Sequence, residues 1–283
     1  MARSRAGRSG TAAATLCAAL ACMLALCLAG CGDTAGTAAA ASRASRASRA
    51  SGRGFTLMQT NLCLSGLAGC YAKVQYPVGV QAAAAEIRRT HPDAVTFNEA
   101  CGGDVARIAR ETGYHLRFSS IIYYGKRLHC IHPRGRGLFG DAVLTRAAIV
   151  SSDSHPFPAE AGPEQRQWVC VTTRARVAVC TAHLASDQPV ELAANAPQCV
   201  QLRAMLAGRE AARAVIFGGD VNRLAPCAPR GFWVRSDASA HQDPGIQQVY
   251  GSAGLRSPAA HVVPAAHTDH DILFVHARLT GRS

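Results

Sequence analysis

The stretch AVIFGGDVNRLA, residues 214–225, is an apolar run that stops at two glycines, an aspartate and an asparagine. Residues 214–217 have the β-branched and aromatic character of a short strand covered on both faces. Gly218 and Gly219 let the backbone bend, or approach another group closely, where the strand ends. A strand that persisted through the bend would place Asp220 and Asn222 on one side, because side chains alternate with a period of two. One is a charged acceptor and the other an amide that donates and accepts. The same residues also suit an ordinary strand-end turn. The pair gains meaning only in company.

Outward from this stretch, the 283-residue chain carries more runs of the same kind. FTLMQTNLC (55–63) alternates like a first strand. GVQAAAAEIRRTHPD (79–93) predicts a helix stopped before Pro92, feeding the strand AVTFNEA (94–100). GDVARIARETG (103–113) predicts a second helix, with Asp104 in its first turn. Val105, Ile108 and Ala109 share one face of it, and Gly113 closes it. Strand-like runs follow at 115–124, 138–146, 147–155, 166–175 and 176–184. APQCVQLRAMLAG (196–208) fits a third helix, with Asn195 as N-cap and Gly208 past its end. After 214–217 comes a polar, turn-rich stretch and then a closing strand, DILFVHA (271–277). Strands dominate and helices fall between some of them. That order predicts sheets inside and helices outside, in one domain covering 55–280.

The N-terminal MARSRAGRSG holds three arginines and no acid, and an apolar run follows at 11–29. That is the layout of a secretory signal and belongs to no fold. Its end, LAGC, resembles the lipobox of bacterial lipoproteins, whose cysteine, here Cys31, is lipidated and becomes the mature N-terminus. An ordinary cleaved signal is the alternative. Residues 32–54 repeat Ala-Ser-Arg without a large apolar residue and read as a disordered tether. The organisation expected is therefore 1–31 signal with lipobox, 32–54 tether and 55–280 domain. An exported protein is expected, either secreted or anchored through Cys31, meeting the membrane only through that lipid. Net charge falls from +12 to +9 without Arg3, Arg5 and Arg8. It falls to +6 once Arg43, Arg46, Arg49, Arg53 and Asp33 of the tether are also removed. A mildly basic domain suits a polyanionic substrate.

Eight cysteines follow Cys31, an even count that suggests disulfides in an exported chain. Their connectivity is not readable from spacing. Pairing of neighbours is the working guess: Cys63–Cys70, Cys101–Cys130, Cys170–Cys180 and Cys199–Cys227. No CxxC spacing is present, which argues against a cysteine-ligated zinc site.

Polar groups recur at strand ends. MQTNL places Asn61 at the end of the first strand, AVTFNEA ends near Glu99, and VAVCTAHLAS ends with His183. HTDHDILFV places Asp269 and His270 just before the last strand. Each has a bland reading as a solvated terminus or turn. Delivered to one rim, they would form a site. In this order, QTNL, PDAVTFNEA, FGDAVLTR, CTAHLAS, FGGDVNRL and HTDHDILFV resemble the endonuclease/exonuclease/phosphatase superfamily. Its members include deoxyribonuclease-like nucleases, neutral sphingomyelinases and inositol-polyphosphate phosphatases. The resemblance implies an α+β fold: a four-layer α/β/β/α sandwich of two mostly antiparallel central sheets flanked by helices.

It also implies a metal-dependent phosphodiester hydrolase. Such a reaction needs an attacking water, stabilised equatorial charge and relief of charge on the leaving oxygen. A hard divalent cation, Mg²⁺ ahead of Mn²⁺ or Ca²⁺, binds oxygen ligands and keeps several waters. By resemblance Glu99 and Asp269 hold the metal, Asp220 activates the water, and Asn222 holds the water or a phosphate oxygen. His270 and His183 contact the scissile phosphate. Asn61 orients ligands or phosphate, and Asp141 and Asp243 are candidate partners of His183 and His270. One departure stands out: Cys63 replaces an acid that some family nucleases carry two residues after the Asn61 position, which puts a second metal in doubt.

Rival readings remain open. HTDHD could ligate zinc through His267, His270 and Asp269 or Asp271, but it precedes a strand and lacks the usual general-base Glu. A binding lipoprotein that kept the fold without catalysis is another. Among phosphoesterases, a nuclease should show a basic groove with aromatic residues for stacking. The segment 123–137 supplies Tyr123, Tyr124, Lys126, Arg127, Arg134 and Arg136 for one. A sphingomyelinase would need an exposed apolar loop, for which the segment around Trp168 is the candidate; inositol phosphates are a further alternative. A nucleic-acid substrate and a monomer without a protein partner are the expectation.

Overall fold

The structure is a computed structural model that describes residues 52–67, 75–210 and 214–280. The signal, Cys31 and almost all of the tether lie outside the described residues, as does Cys70. Among the described residues no helix is long and apolar enough to cross a membrane.

The opening stretch is strand β11 (Ala214–Asp220), and it pairs in parallel with β10 (Val177–Ala182). Parallel neighbours need a crossover connection, and α3 (Leu192–Glu210) supplies it. The same unit occurs near the start of the chain. There β1 (Gly54–Asn61) and β2 (Ala94–Cys101) are parallel, joined through α1 (Val78–Thr90). The helix α2 (Gly102–Thr112) follows β2 directly. Each parallel pair forms the middle of a six-stranded sheet whose other pairings are antiparallel. Around β1 and β2 lie β3 (His115–Ser120), β6 (Phe139–Thr145), β14 (Leu255–Val263) and β15 (Ile272–Leu279), in the order β14-β15-β1-β2-β6-β3. Around β10 and β11 lie β7 (Ile149–Pro156), β9 (Gln167–Thr173), β12 (Trp233–Ser236) and β13 (Gln247–Gly251), in the order β12-β13-β11-β10-β9-β7. A small third sheet joins β4 (Ile122–Tyr123), β5 (Lys126–Arg127) and β8 (Glu164–Gln165).

Three apolar clusters make the layers. Leu57, Val143, Val179, Ile216 and Leu273 pack between the two sheets. Met58, Val95 and Phe97 face outward against Val80, Ala84 and Ile87 of α1 and Val105 and Ile108 of α2. Ala178, Val215 and Phe217 face the other way, against Leu202 and Leu206 of α3. Central strands are thus buried on both faces, which is why they read as continuous apolar runs. The result is the expected α/β/β/α sandwich.

Helix positions follow their sequence signals with one exception. In α1, Val80, Ala83, Ala84 and Ile87 are buried, and α2 ends on Gly113 at φ 75° as anticipated. In α3, however, Asn195 is no N-cap and Gly208 is not past the end. The helix starts at Leu192 and carries Pro197 inside it. The Asn195 amide is taken instead by tertiary acceptors, donating to the carbonyls of Ala185 (2.6 Å) and Val221 (3.0 Å). The turn-rich stretch after β11 also holds three strands, β12 to β14, that polar residues disguise. Gln247 and Gln248 are buried strand residues, and Pro258 sits at a bulge in β14, where proline is tolerated.

Three of the neighbouring disulfides are formed: Cys101–Cys130, Cys170–Cys180 and Cys199–Cys227. Cys170 and Cys180 are direct cross-strand partners on β9 and β10. Cys63 is also disulfide-bonded, and its guessed partner Cys70 lies outside the described residues.

Candidate active site

The carboxyl ends of both parallel pairs open onto one cleft of about 290 Å³, lined by Glu99, Arg166, His183, Asp220, Asn222 and His270 among others. Asn61 ends β1 and is fully buried. Its amide nitrogen donates to Glu99 Oε1 (3.0 Å) and to Asp220 Oδ2 (3.1 Å), one carboxylate from each sheet. Its Oδ1 accepts from the backbone N–H of Cys63 (3.0 Å), which fixes the amide's orientation.

Glu99 reaches the cleft through a break in β2. The register against β6 shifts between Phe97 and Ala100, and Glu99 itself sits at φ 52°. A bulge with a non-glycine residue in the left-handed region re-aims a side chain at some cost in strain. Asn222 arrives similarly. The strand ends at Asp220 and Asn222 has φ 49°, so the expected strand alternation through 222 is not the cause. A left-handed turn brings the two together instead, closed by Asn222 N–H donating to Asp220 Oδ1 (3.1 Å). The two glycines serve packing. A Cβ on Gly219 would lie 2.3 Å from the Ala182 carbonyl, and one on Gly218 would lie 2.6 Å from Thr96 Oγ1.

His183 forms an isolated parallel bridge with Asp220 and is nearly buried. Its Nδ1 lies 2.7 Å from an Arg166 nitrogen, and its Nε2 lies 3.0 Å from Asn222 Nδ2. Arginine only donates, so Nδ1 is the accepting nitrogen and a neutral ring carries its proton on Nε2. Asn222 Nδ2 also donates to the Leu184 carbonyl (2.9 Å). Two donors therefore face each other between His183 and Asn222 with no acceptor between them. His270 adds a second imidazole, its Nε2 3.6 Å from Asp220 Oδ2 and 3.9 Å from Asp269 Oδ1. Its buried Nδ1 has no hydrogen-bond partner among the described residues.

Burial dominates the electrostatics. It pushes Glu99 up to about 7, with Asn61 and Arg166 acting against it. Asp220 is also raised by burial, opposed first by His270. His183 is held well below the ordinary imidazole range by burial, then by Arg166 and His270. Two largely buried carboxylates sharing one amide donor form a site that a cation would relieve. Among the described residues no group of three or more His, Cys, Asp or Glu side chains is placed to hold a metal. Magnesium is commonly held by one or two carboxylates plus waters and substrate phosphates, so the oxygen donors present fit such an ion.

Not every expected residue is where it was expected. Asp141 is no partner of His183. It is buried in β6, accepts from Asn98 Nδ2 (2.9 Å) and is pushed up to about 7 by burial. Arg166 takes the place at His183 Nδ1, itself paired with Glu164 (2.6 Å) and Glu191 (3.3 Å). Asp243 is exposed, and no contact joins it to His270. The buried acid on that side is Asp237, which accepts from Gly245 N–H (2.8 Å) and Gln247 Nε2 (3.1 Å) and is raised to about 6 by burial. Arg136 is no groove cation: it is buried against Asp104 (3.0 Å) and the Leu64 carbonyl (2.6 Å). Trp168 is no lipid-reaching loop, since it packs against the α3 side of the core under Arg209.

Sequence inspection also passed over Asn98 and Gln247. Asn98 Oδ1 accepts from Gln59 Nε2 and Asp220 N–H, both 2.8 Å, while its nitrogen serves Asp141. Gln247 Oε1 accepts from Asn61 N–H (3.0 Å) and its nitrogen donates to the Asp271 carbonyl (2.7 Å). These amides couple the strand ends across the two sheets. A polar residue inside an apolar strand run, as in TFNEA, was the available signal for Asn98.

Fold and cleft together define a phosphoester hydrolase of the sandwich type. The chain belongs to the endonuclease/exonuclease/phosphatase family, whose model matches residues 70–270. It is similar in structure to an endonuclease/exonuclease/phosphatase from Beutenbergia cavernae, at 21% identity and TM-score 0.59, over 81% of this chain and 72% of that one. The human Nocturnin catalytic domain with bound sulfate is 14% identical with TM-score 0.59, over 80% and 94% of the two chains. TDP2 from D. rerio in complex with a single-strand DNA product is 15% identical with TM-score 0.54, over 80% and 99%. No curated protein sequence matches the chain significantly.

Proposed function

We propose that the chain is a divalent-metal-dependent nuclease, exported and tethered at the cell surface through Cys31. The observation that carries this reading is the meeting of Glu99, Asp220, Asn222, His183 and His270 in one cleft. Asp220 lies between Asn61 and His270 and is the candidate to orient and deprotonate the attacking water. The facing donors His183 Nε2 and Asn222 Nδ2, with the buried Arg166 Nε that has no hydrogen-bond partner among the described residues, make a receptor that a phosphate oxygen would satisfy. Glu99, with Asp269 beside it, would hold Mg²⁺, which would supply charge neutralisation at the phosphate. The nucleic-acid assignment draws support from the single-strand DNA product bound by a TDP2 of the same fold.

The test is cleavage of a single-stranded oligonucleotide and nicking of supercoiled plasmid, side by side, by the full chain purified with its disulfides formed; cleavage of either substrate supports the nuclease reading. Cleavage should require Mg²⁺, stop with EDTA, and fall at least about 10³-fold in Asp220→Ala, in line with losing the group that prepares the nucleophile. Cleavage that persisted undiminished in Asp220→Ala would remove the assignment. Activity on phospholipid or inositol phosphates with none on nucleic acid would move the substrate and keep the chemistry.

A further inference from the structure

Tyr124 and Gly125 form the two-residue turn that joins β4 to β5. Their φ values are 48° and 73°, both positive, as in the type I′ turns that favour Asn-Gly. Glycine accepts this freely. For an L-residue with a bulky side chain the left-handed region is sterically unfavourable. Burial gives Tyr124 nothing in return, since it is 74% exposed. Its ring meets Tyr123 edge to face, with centroids 4.7 Å apart. A large exposed aromatic held in an unfavourable turn position points to a role outside folding.

The hairpin is fixed to the cleft wall. Tyr124 N–H donates to the Pro163 carbonyl (2.9 Å), and β4 pairs with β8, directly before Arg166. Tyr123 and Pro163 both line the cleft. Lys126 and Arg127 follow the turn and are exposed. Beside the Tyr124 ring runs a groove of about 270 Å³ whose lining includes Glu160, Glu164 and Gln165, the last donating to Glu160 (2.9 Å). A π-face, two adjacent cations and hydrogen-bonding groups at one rim match the parts of a nucleotide: a base face, a backbone phosphate and a base edge.

We propose that Tyr124 is the stacking platform for an unpaired nucleobase next to the phosphate held in the cleft, making single-stranded nucleic acid the substrate class. The proposal rests on the nuclease reading and narrows it, because a duplex keeps its base faces stacked and out of reach.

The test compares kcat/KM of the full chain on a single-stranded oligonucleotide, the same strand in duplex, and the same strand carrying abasic residues. The variants are Tyr124→Ala, Tyr124→Phe and Tyr124→Asn. Asn restores the favoured Asn-Gly turn, so it keeps or raises stability while removing the ring. Loss of one base–aromatic stack predicts a fall of about 5- to 150-fold on the single strand for Ala and Asn, carried mainly by KM. Phe should rescue it, and the abasic strand should show no further loss in any variant. Equal losses on normal and abasic strands, no loss at all, or cleavage confined to duplex would overturn the platform while leaving the nuclease reading in place. A wild-type chain that cleaves no oligonucleotide but hydrolyses phospholipid vesicles would overturn both.

Discussion

His183 shows what a single ring can report. Its Nδ1 accepts from Arg166, and its environment disfavours the imidazolium. The consequence for stability has a definite sign. An unfolded chain binds a proton on this imidazole below about pH 6.5, whereas the folded chain resists it. The unfolded state therefore binds more protons, and stability falls as pH drops below about 6.5. Glu99 and Asp141, both raised to about 7, act in the opposite direction, losing stability as pH rises toward 7. The wild-type curve is a sum, so the difference between wild type and His183→Gln isolates the imidazole. Between pH 6.5 and 5 the variant should lose up to about 1.4 kcal/mol less stability per pH unit than wild type. Urea melts at a series of pH values would show it. Parallel curves would mean that His183 charges as readily in the fold as out of it.

At the scale of elements, β11 answers why two glycines precede Asp220. Gly219 passes under the Ala182 carbonyl at the end of β10, a backbone atom that cannot swing aside. Gly218 faces side-chain atoms of Thr96 and Leu57, across the sheet interface, which can shift. Overpacking a close-packed core typically costs about 1–3 kcal/mol. Gly218→Ala should fall in that range and Gly219→Ala above it, read from urea midpoints with an unchanged m-value. Equal costs would show that the β10–β11 spacing yields as easily as a side chain. The same elements explain what could be seen in advance. Period and caps located α1, α2 and the doubly buried strands, because apolar burial writes itself into sequence. β13 was hidden because its buried glutamines are satisfied by groups outside the strand, Gln247 by Asp237 and the Asp271 carbonyl and Gln248 by the Arg223 carbonyl among others. Asn195 misled for a related reason, being claimed by loops far from its own helix end.

For the whole molecule, the residues that strand ends deliver were legible, while their pairings were not. Glu99, His183, Asp220 and His270 end or border strands, so one rim gathers them once the sheets form. Arg166 and Asp237 depend on which loop lies over which, and no local pattern records that. The Asn61 amide carries this dependence further. It is tied at 3.0 Å to an acid of one sheet and at 3.1 Å to an acid of the other. A slide of the layers by the length of one hydrogen bond would uncouple the acids while both sheets stayed intact. The cleft is in effect a gauge of sheet spacing. In a denaturant series with the full chain, hydrolysis should fade at lower urea than the far-ultraviolet circular dichroism signal, in proportion to local loosening. Coincident curves would mean that the layers part only when the chain unfolds. With the curves apart, an enzyme built across such a seam would stop working while still folded, and whatever draws its two layers together would restart it.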